Sequence, residues 1–388
     1  MRPIPYATQD IDSSDIDAVV AVLRSDWLTQ GPAIERFEHA VSERCGGAHA
    51  IAVSSATAGL HLACLALGLG PGGKLWTTPN TFVASANCAR YCGADVDFVD
   101  IDPHTRNLCP EALETKLRQA DIDGKLPDIV VPVHFAGLPA DMARIAALAK
   151  RYGFRVIEDA SHAIGARYDD GSAVGDGAYA DITVFSFHAV KVLTTGEGGM
   201  ALTRDVQLAS RIRLLRSHGI TRDVAQIGNV TEGAWYYEQL QLGFNYRMTD
   251  IQAALGLSQL ARLDGFLDAR ELLVEAYEGL LAGLPLRLPE SRWSGRSRSS
   301  WHLYAVQLED ESVRRRVFDR MRAAGILVNV HYFPVHLQPY YRQLGFREGD
   351  YPEAERHYRR ALSLPMHTRL TEAQHAHVCE SLAEGFVS

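Results

Sequence analysis

Short apolar runs alternate with helical periodicity through the first half of the chain. Residues 50–53, 75–78, 96–99, 128–133, 154–157, 182–185 and 199–202 are apolar, β-branched or aromatic and end in small or polar residues, which predicts strands. Helical patterns follow from the Ser54–Ser55–Ala56–Thr57 turn to residue 67, from Phe82 to residue 91, and over 141–152. Crossovers of this length suit a mostly parallel sheet sandwiched by helices, an α/β architecture. Ahead of them, residues 11–24, with Ser13 or Ser14 as cap, and residues 34–45 read as helices.

Beyond residue 205 the pattern changes. Residues 220–242 are polar and aromatic without a period and read as a long loop, of a length that is usually functional or disordered. Residues 249–281 read as one long helix, with Ile251, Ala254, Leu255, Leu257 and Leu260 as its apolar stripe. A Ser/Arg-rich break spans 285–300. Strands over 303–308 and 326–330 and helices over 312–324, 351–362 and 371–386 complete a smaller α+β part. A chain of 388 residues is long for one core, so we expect a large domain, 1–250, and a smaller C-terminal one, 251–388.

Composition changes this picture little. The chain is 47% hydrophobic and 22% charged, as ordinary globular proteins are, and a net charge of −8 gives no basic field for nucleic acid. It has no N-terminal signal core and no apolar run near ~20 residues, so neither export nor a membrane span is expected, and a cytoplasmic location is. Six cysteines lack metal spacing; Cys88 and Cys92, four apart, read as core thiols.

Three candidate chemical groups fall at the C-terminal ends of predicted strands, where open α/β sheets hold ligands. The Ser54–Thr57 turn opens a helix, and free amides with hydroxyls there suit a phosphate, although Ser55 or Thr57 can equally be a plain N-cap. Residues 154–157 deliver Glu158 and Asp159; of the two acids, one is expected to be a solvated loop residue. After 182–185 comes Lys191, flanked by Val190, Val192 and Leu193 and followed by Gly196, Gly198 and Gly199. The chain has only five lysines, and Lys74, Lys116, Lys125 and Lys150 lie in turns or polar helical patterns. Burial among apolar neighbours lowers an amine's pKa and makes it a nucleophile toward carbonyls; the alternative is a lysine snorkelling to water. Phe82, at a strand-to-helix turn, can stack on a flat ring or fill the core.

In order along the chain, these motifs resemble the fold-type I pyridoxal phosphate (PLP) enzymes, and among them the DegT/DnrJ/StrS sugar aminotransferases. The likeness also runs through residues 27–32, Glu158 to Gly165, Ser186–Phe187–His188–Ala189–Val190–Lys191, Gly243 to Gln259 and Val330 to His336. It implies that Lys191 holds PLP and shuttles the proton, and that Asp159 pairs with the pyridine nitrogen. Ala56, Thr57 and Ser186 would bind the phosphate, Phe82 would lie over the ring and His162 beside it. Asn245 would reach the phosphate of a neighbouring subunit's PLP in a homodimer with shared sites; read alone, it could equally cap the following helix. The narrower likeness, carried also by Arg216–Ser217–His218–Gly219, is to the branch working in pseudaminic acid biosynthesis. It implies L-glutamate as amino donor, pyridoxamine phosphate as the aminated cofactor, and the C4 ketone of a UDP-linked 4-keto-6-deoxy-N-acetylhexosamine as acceptor. Rival readings are another nucleotide-linked keto-sugar, such as a dTDP-sugar aminated at C3 or C4, or a non-catalytic homologue. Dehydratases of the family carry histidine in place of the lysine, so Lys191 favours transamination. Thr29, Arg216, His218, Arg247 and His331 are the candidate donors to the nucleotide diphosphate, and each can equally be structural.

Overall fold

The computed structural model describes residues 3–228, 233–290 and 297–387. The first strand, β1 (Ile4–Pro5), runs parallel beside Ile326–Leu327, which puts Ile4 in the core of the C-terminal part. Seven strands form the central sheet: β2 (His49–Val53), β3 (Lys74–Thr77), β4 (Asp95–Phe98), β5 (Ile129–Val131), β6 (Arg155–Asp159), β7 (Ile182–Ser186) and β8 (Gly199–Thr203), ordered β2-β8-β7-β6-β5-β3-β4. The pairs from β7 across to β4 are parallel, whereas β8 is antiparallel to both β7 and β2.

Alternate side chains of each strand enter two apolar layers, so both faces of the sheet are covered and the strands read as continuous apolar runs. One layer takes Ala50, Ala52, Val130, Val156, Phe185 and Met200. It is closed by α2 (Pro32–Arg44), α5 (Pro110–Ile122), α6 (Met142–Tyr152) and α8 (Asp250–Ala261). The other takes Ile51, Val53, Leu75, Ile157, Val184 and Ala201 and is closed by α3 (Ala56–Ala66), α4 (Ala84–Tyr91) and α7 (Val206–Arg216). The first helix, α1 (Ser13–Leu23), packs on α8. Helices α5 and α7 were not among the elements predicted from the sequence.

After β8 the structure departs from several sequence expectations. Strands β9 (Ile220–Thr221) and β10 (Glu238–Gln239) pair antiparallel inside the expected loop, part of which, 229–232, lies outside the described residues. The expected single helix over 249–281 is two, α8 and α9 (Leu263–Leu280), broken at Arg262. The break over 285–300 contains β11 (Leu286–Arg287), while 291–296 lie outside the described residues. β11, β12 (Tyr304–Leu308) and β14 (Ala361–Leu364) form an antiparallel sheet, and β13 (Ile326–Leu327) is shorter than the expected strand. α10 (Arg314–Ala323), the short α11 (Pro339–Arg342), α12 (Pro352–Arg360) and α13 (Glu372–Phe386) complete the chain. α12 ends before residue 362 because Ala361 to Leu364 satisfy their backbone against β12 instead. The cap of α1 is Asp12, not Ser13 or Ser14: its carboxylate accepts from Ser14 and Asp15 amides.

The reversal of β8 matters for function. In register, Gly199 faces Val53 of β2 on one side and Ser186 of β7 on the other. The end of β2, the end of β7 and the start of β8 therefore meet at one point on the sheet's edge. A Cβ on Gly199 would fall 2.7 Å from the Ala56 amide nitrogen, so only glycine lets β8 lie against the first turn of α3.

Candidate active site

The strand ends converge on a cavity of about 670 Å³. Lys191, Asp159, Ala56, Thr57, Phe82, His162, Ser186 and His331 all line it, with Ser55, Thr81, His302, Asn329 and Tyr332. Phe82 is exposed, which rules out the core alternative for it.

Lys191 sits on the connection from β7 to β8. That connection is pinned by backbone bonds from Phe187 N to Gly198 O (2.9 Å), Thr195 N to Phe187 O (2.9 Å) and Lys191 N to His188 O (2.9 Å). Val192 and Leu193 are buried in the sheet's core and act as anchors, while the lysine between them and Val190 turns to the cavity. Its apolar neighbours thus fix a loop, and the amine does not snorkel to bulk water. Burial pushes its pKa down to about 8, against the opposing pull of the Asp159 charge. An amine near neutrality at that pH can attack a carbonyl.

Asp159 ends β6 and is buried, as is Glu158 before it, so neither acid is a solvated loop residue. Strand alternation sends them to opposite faces. Glu158 accepts from Tyr168 Oη (2.6 Å) and Thr183 Oγ1 (2.5 Å) and lies 3.5 Å from His134 Nε2, away from the cavity. Asp159 Oδ2 accepts from Ser85 Oγ (2.6 Å) and Oδ1 from Ser161 N (3.1 Å). Because the single Ser85 proton goes to Asp159, the Thr81 hydroxyl 2.7 Å away donates to Ser85. The carboxylate is thereby fixed in one orientation.

At the start of α3, Ser55 caps the helix by accepting from Ala58 N (3.1 Å). The amides of the first helical turn have no intrahelical acceptor, and Ala56 and Thr57, which carry two of them, line the cavity. Capping by Ser55 and anion binding by the next amides are therefore compatible.

Histidines form another wall. His162 Nδ1 accepts from Ala136 N (3.3 Å), so in the neutral ring Nε2 carries the proton and donates to Tyr332 Oη 3.2 Å away. Burial, then the Lys191 charge, holds His162 well below the usual histidine range, and the same two causes hold His331 down to about 3. His331 Nδ1 lies 2.8 Å from Ser363 Oγ.

Five predicted residues are not among those lining this cavity. Thr29 and His218 are exposed, and Arg247 is half-buried. Arg216 is held under the sheet edge by Glu38 Oε1 and Ala52 O, both 2.7 Å away, a structural role. Asn245 is exposed in a bridge with Ser217 and does not cap α8: Thr249 does, in a capping box with Gln252. Conversely, sequence reasoning passed over Ser85, Tyr332, His302 and Asn329. Ser85 lies three residues after Phe82 and Tyr332 directly after His331, so both were within reach of those motifs; His302 and Asn329 lie outside them.

The sheet order and the meeting of its strand ends define a fold-type I enzyme dependent on PLP. The DegT/DnrJ/EryC1/StrS aminotransferase family matches residues 9–383, and the chain belongs to that family. It is 38% identical over 387 residues to the spore coat polysaccharide biosynthesis protein SpsC of Bacillus subtilis, covering 98% of this chain and 96% of that one. Among solved structures it is similar to Helicobacter pylori PseC, an aminotransferase involved in the biosynthesis of pseudoaminic acid. The identity there is 30%, the TM-score 0.90, and the coverage 99% of both chains. The pyridoxamine phosphate form of a putative sugar aminotransferase, Spr1654 of Streptococcus pneumoniae, is 29% identical, with a TM-score of 0.89 and 98% of both chains covered.

The donor set fits the cofactor: an amine for its carbonyl, a carboxylate for its ring nitrogen, and amides and hydroxyls for its phosphate. When bound, PLP supplies a conjugated ring that accepts the electron pair left as a proton leaves the amine-bearing carbon. Among the described residues, no helix is long and apolar enough to cross a membrane.

Proposed function

We propose that the protein passes the amino group of L-glutamate to the C4 ketone of a UDP-linked 4-keto-6-deoxy-N-acetylhexosamine, a step toward pseudaminic acid. The observation that supports this reading is the likeness to PseC along the whole chain, at a TM-score of 0.90. In this reading Lys191 binds the cofactor and moves the proton, its pKa of about 8 leaving a useful share of neutral amine at physiological pH. Asp159, oriented by Ser85 and Ser161, holds the ring nitrogen protonated. Ala56, Thr57 and Ser186 would hold the phosphate, Phe82 would lie over the ring, and neutral His162, fixed by its hydrogen bond with Tyr332, would sit beside it.

Among the described residues, no arginine lines this cavity. A nucleotide diphosphate and a dicarboxylate both call for cationic donors. We place those donors, together with Asn245, in the cavity of a partner copy in a homodimer. A second reading, another nucleotide-linked keto-sugar as acceptor, is favoured by the higher identity to SpsC, 38%. The test is to incubate PLP-loaded protein and L-glutamate with the UDP-4-keto sugar and, separately, with dTDP-3-keto and dTDP-4-keto sugars. The first reading expects 2-oxoglutarate release and a new C4 amine by NMR with the UDP-sugar alone; turnover only with a dTDP-sugar would replace it by the second.

A further inference from the structure

One wall of the cavity is made by residues 329–333, the segment that follows β13. Its ends are anchored by Ser363 N to Asn329 O (2.8 Å) and by Val335 N to Pro79 O (2.9 Å). Between those anchors, among the described residues, His331 O is the one backbone group of residues 330–333 bonded to another segment. It accepts from His357 Nε2 of α12 (3.0 Å).

His357 is the last link in a chain of side chains that begins outside the cavity. Arg106 Nη2 donates to Gln307 Oε1 of β12 (3.4 Å), and Gln307 Nε2 lies 2.8 Å from His357 Nδ1. The two ends agree on its direction, because a guanidinium only donates and a carbonyl only accepts. From the Arg106 end, the Gln307 oxygen is the acceptor and its amide donates to His357 Nδ1. From the His331 end, the His357 proton sits on Nε2, which leaves Nδ1 bare. Burial, then the Arg106 charge, pushes His357 down to about 3, so the ring stays neutral as this pattern requires. Arg106 is itself buried with a φ of 62°, a left-handed backbone that a non-glycine residue keeps only where its surroundings hold it. Its carbonyl accepts from Asn80 Nδ2 (3.1 Å), next to Thr81 on the opposite wall.

We propose that this relay fixes the His331–Tyr332 peptide, with His357 as its positioning residue, and through Tyr332 orients the His162 ring. Tyr332 directly follows the held carbonyl, and its Oη is 3.2 Å from His162 Nε2. A peptide free to shift would draw the phenol away from the imidazole. The other ring nitrogen of His162 keeps its bond from Ala136 N (3.3 Å), so loss of the relay loosens the ring without unseating it. The proposal rests on the reading above, in which the cavity holds PLP with His162 beside the cofactor ring.

The test is PLP titration of the full-length apoprotein, followed by visible absorbance and by the circular dichroism that the bound cofactor takes from its surroundings. His357→Leu, which removes both bonds, should weaken PLP binding about tenfold and diminish the dichroism band at saturation. His357→Gln keeps one amide donor for His331 O and one acceptor for Gln307, and should restore both readouts. Gln307→Leu should weaken binding by itself, and the double variant should lose no more than His357→Leu, as links of one chain do. If His357→Leu fails to fold, wild-type readouts in His357→Gln with weakened binding in Gln307→Leu still support the relay. Wild-type affinity and dichroism in the Leu variants would overturn it, as would losses that multiply in the pair or a Gln variant as impaired as the Leu one. Wild-type protein that takes up no PLP would overturn the reading of the cavity and the relay with it.

Discussion

At the residue scale the site depends on two groups whose surroundings set their chemistry. The amine of Lys191 is depressed by burial, so in the apoprotein its reaction with an amine-directed reagent should show a midpoint near pH 8. An ordinary lysine titrates near ~10.4. The same shift has a sign for stability: the unfolded chain keeps that proton to higher pH than the folded one. The apoprotein should therefore gain stability as pH rises from about 8 toward ~10.4, which denaturant titrations at several pH values would check. A labelling rate still climbing through pH 10 with no midpoint near 8 would mean the amine is hydrated. For Asp159, replacement by Asn should keep the fold and slow the half-reaction with glutamate by on the order of a hundredfold. Ser85→Ala, which leaves Asp159 Oδ2 without its donor, should cost about tenfold, since a buried bond to a charged group contributes roughly 1.5–3 kcal/mol. Equal rates in Ser85→Ala and wild type, by stopped-flow absorbance, would show that orientation of the carboxylate does not matter. Asp159 was legible in the sequence because it ends a strand and Lys191 because it follows one among apolar neighbours; Ser85 lay near the Phe82 motif but its role did not show, since a helical serine looks the same whether or not a carboxylate lies above it.

At the scale of elements, the contact of β8 with α3 sets the phosphate end of the cavity. Gly199→Ala would put a methyl 2.7 Å from Ala56 N and from Ser55 C, and β8 cannot retreat because it is laddered on both sides. Overpacking of this kind costs typically 1–3 kcal/mol, so we expect a lower melting temperature and PLP affinity weakened at least about tenfold by absorbance titration. Gly265→Ala, in α9 with nothing within 4 Å, serves as the control and should be neutral or stabilising by up to about 1 kcal/mol. If both variants bind PLP alike, the close approach has no bearing on the cofactor. The one element whose continuity the periodicity misjudged shows the limit of such patterns. α8 and α9 carry one apolar stripe across Arg262, yet the helix breaks there. The Arg262 guanidinium is drawn to Asp15 (2.6 Å), Asp12 (2.9 Å) and Asp10 (3.5 Å), carboxylates from α1 and the chain before it. Nothing within residues 249–281 announces partners that distant.

At the scale of the whole molecule, the proposed homodimer makes a prediction that no single chain can satisfy. Lys191→Ala protein and Asn245→Asp protein should each be inactive, the second because a carboxylate facing a phosphate is repelled. Mixed under conditions of subunit exchange, they should regain activity, since one of the two sites in a heterodimer is then wild type. The expected recovery is at most about a quarter of wild type, half the sites in the half of the dimers that are mixed. Exchange proved by native mass spectrometry without recovery would return Asn245 to its own chain's surface. An active Asn245→Asp variant would do the same.

Sequence alone determined what depends on neighbours along the chain. Short continuous apolar runs place the seven sheet strands, because a strand covered on both faces must be apolar throughout. Residue type at the strand ends then singles out Lys191, Asp159 and the Ser55–Thr57 turn, because the ends of such strands face the crevice. Tertiary structure decided everything that depends on distant segments. It reversed β8 so that Gly199 meets Val53 and Ser186. It brought His302 and Tyr332 to the cavity and took Arg216 away from it to Glu38. A charge acquires its chemistry from what lies within a few ångströms, and for these residues that neighbour is remote in sequence.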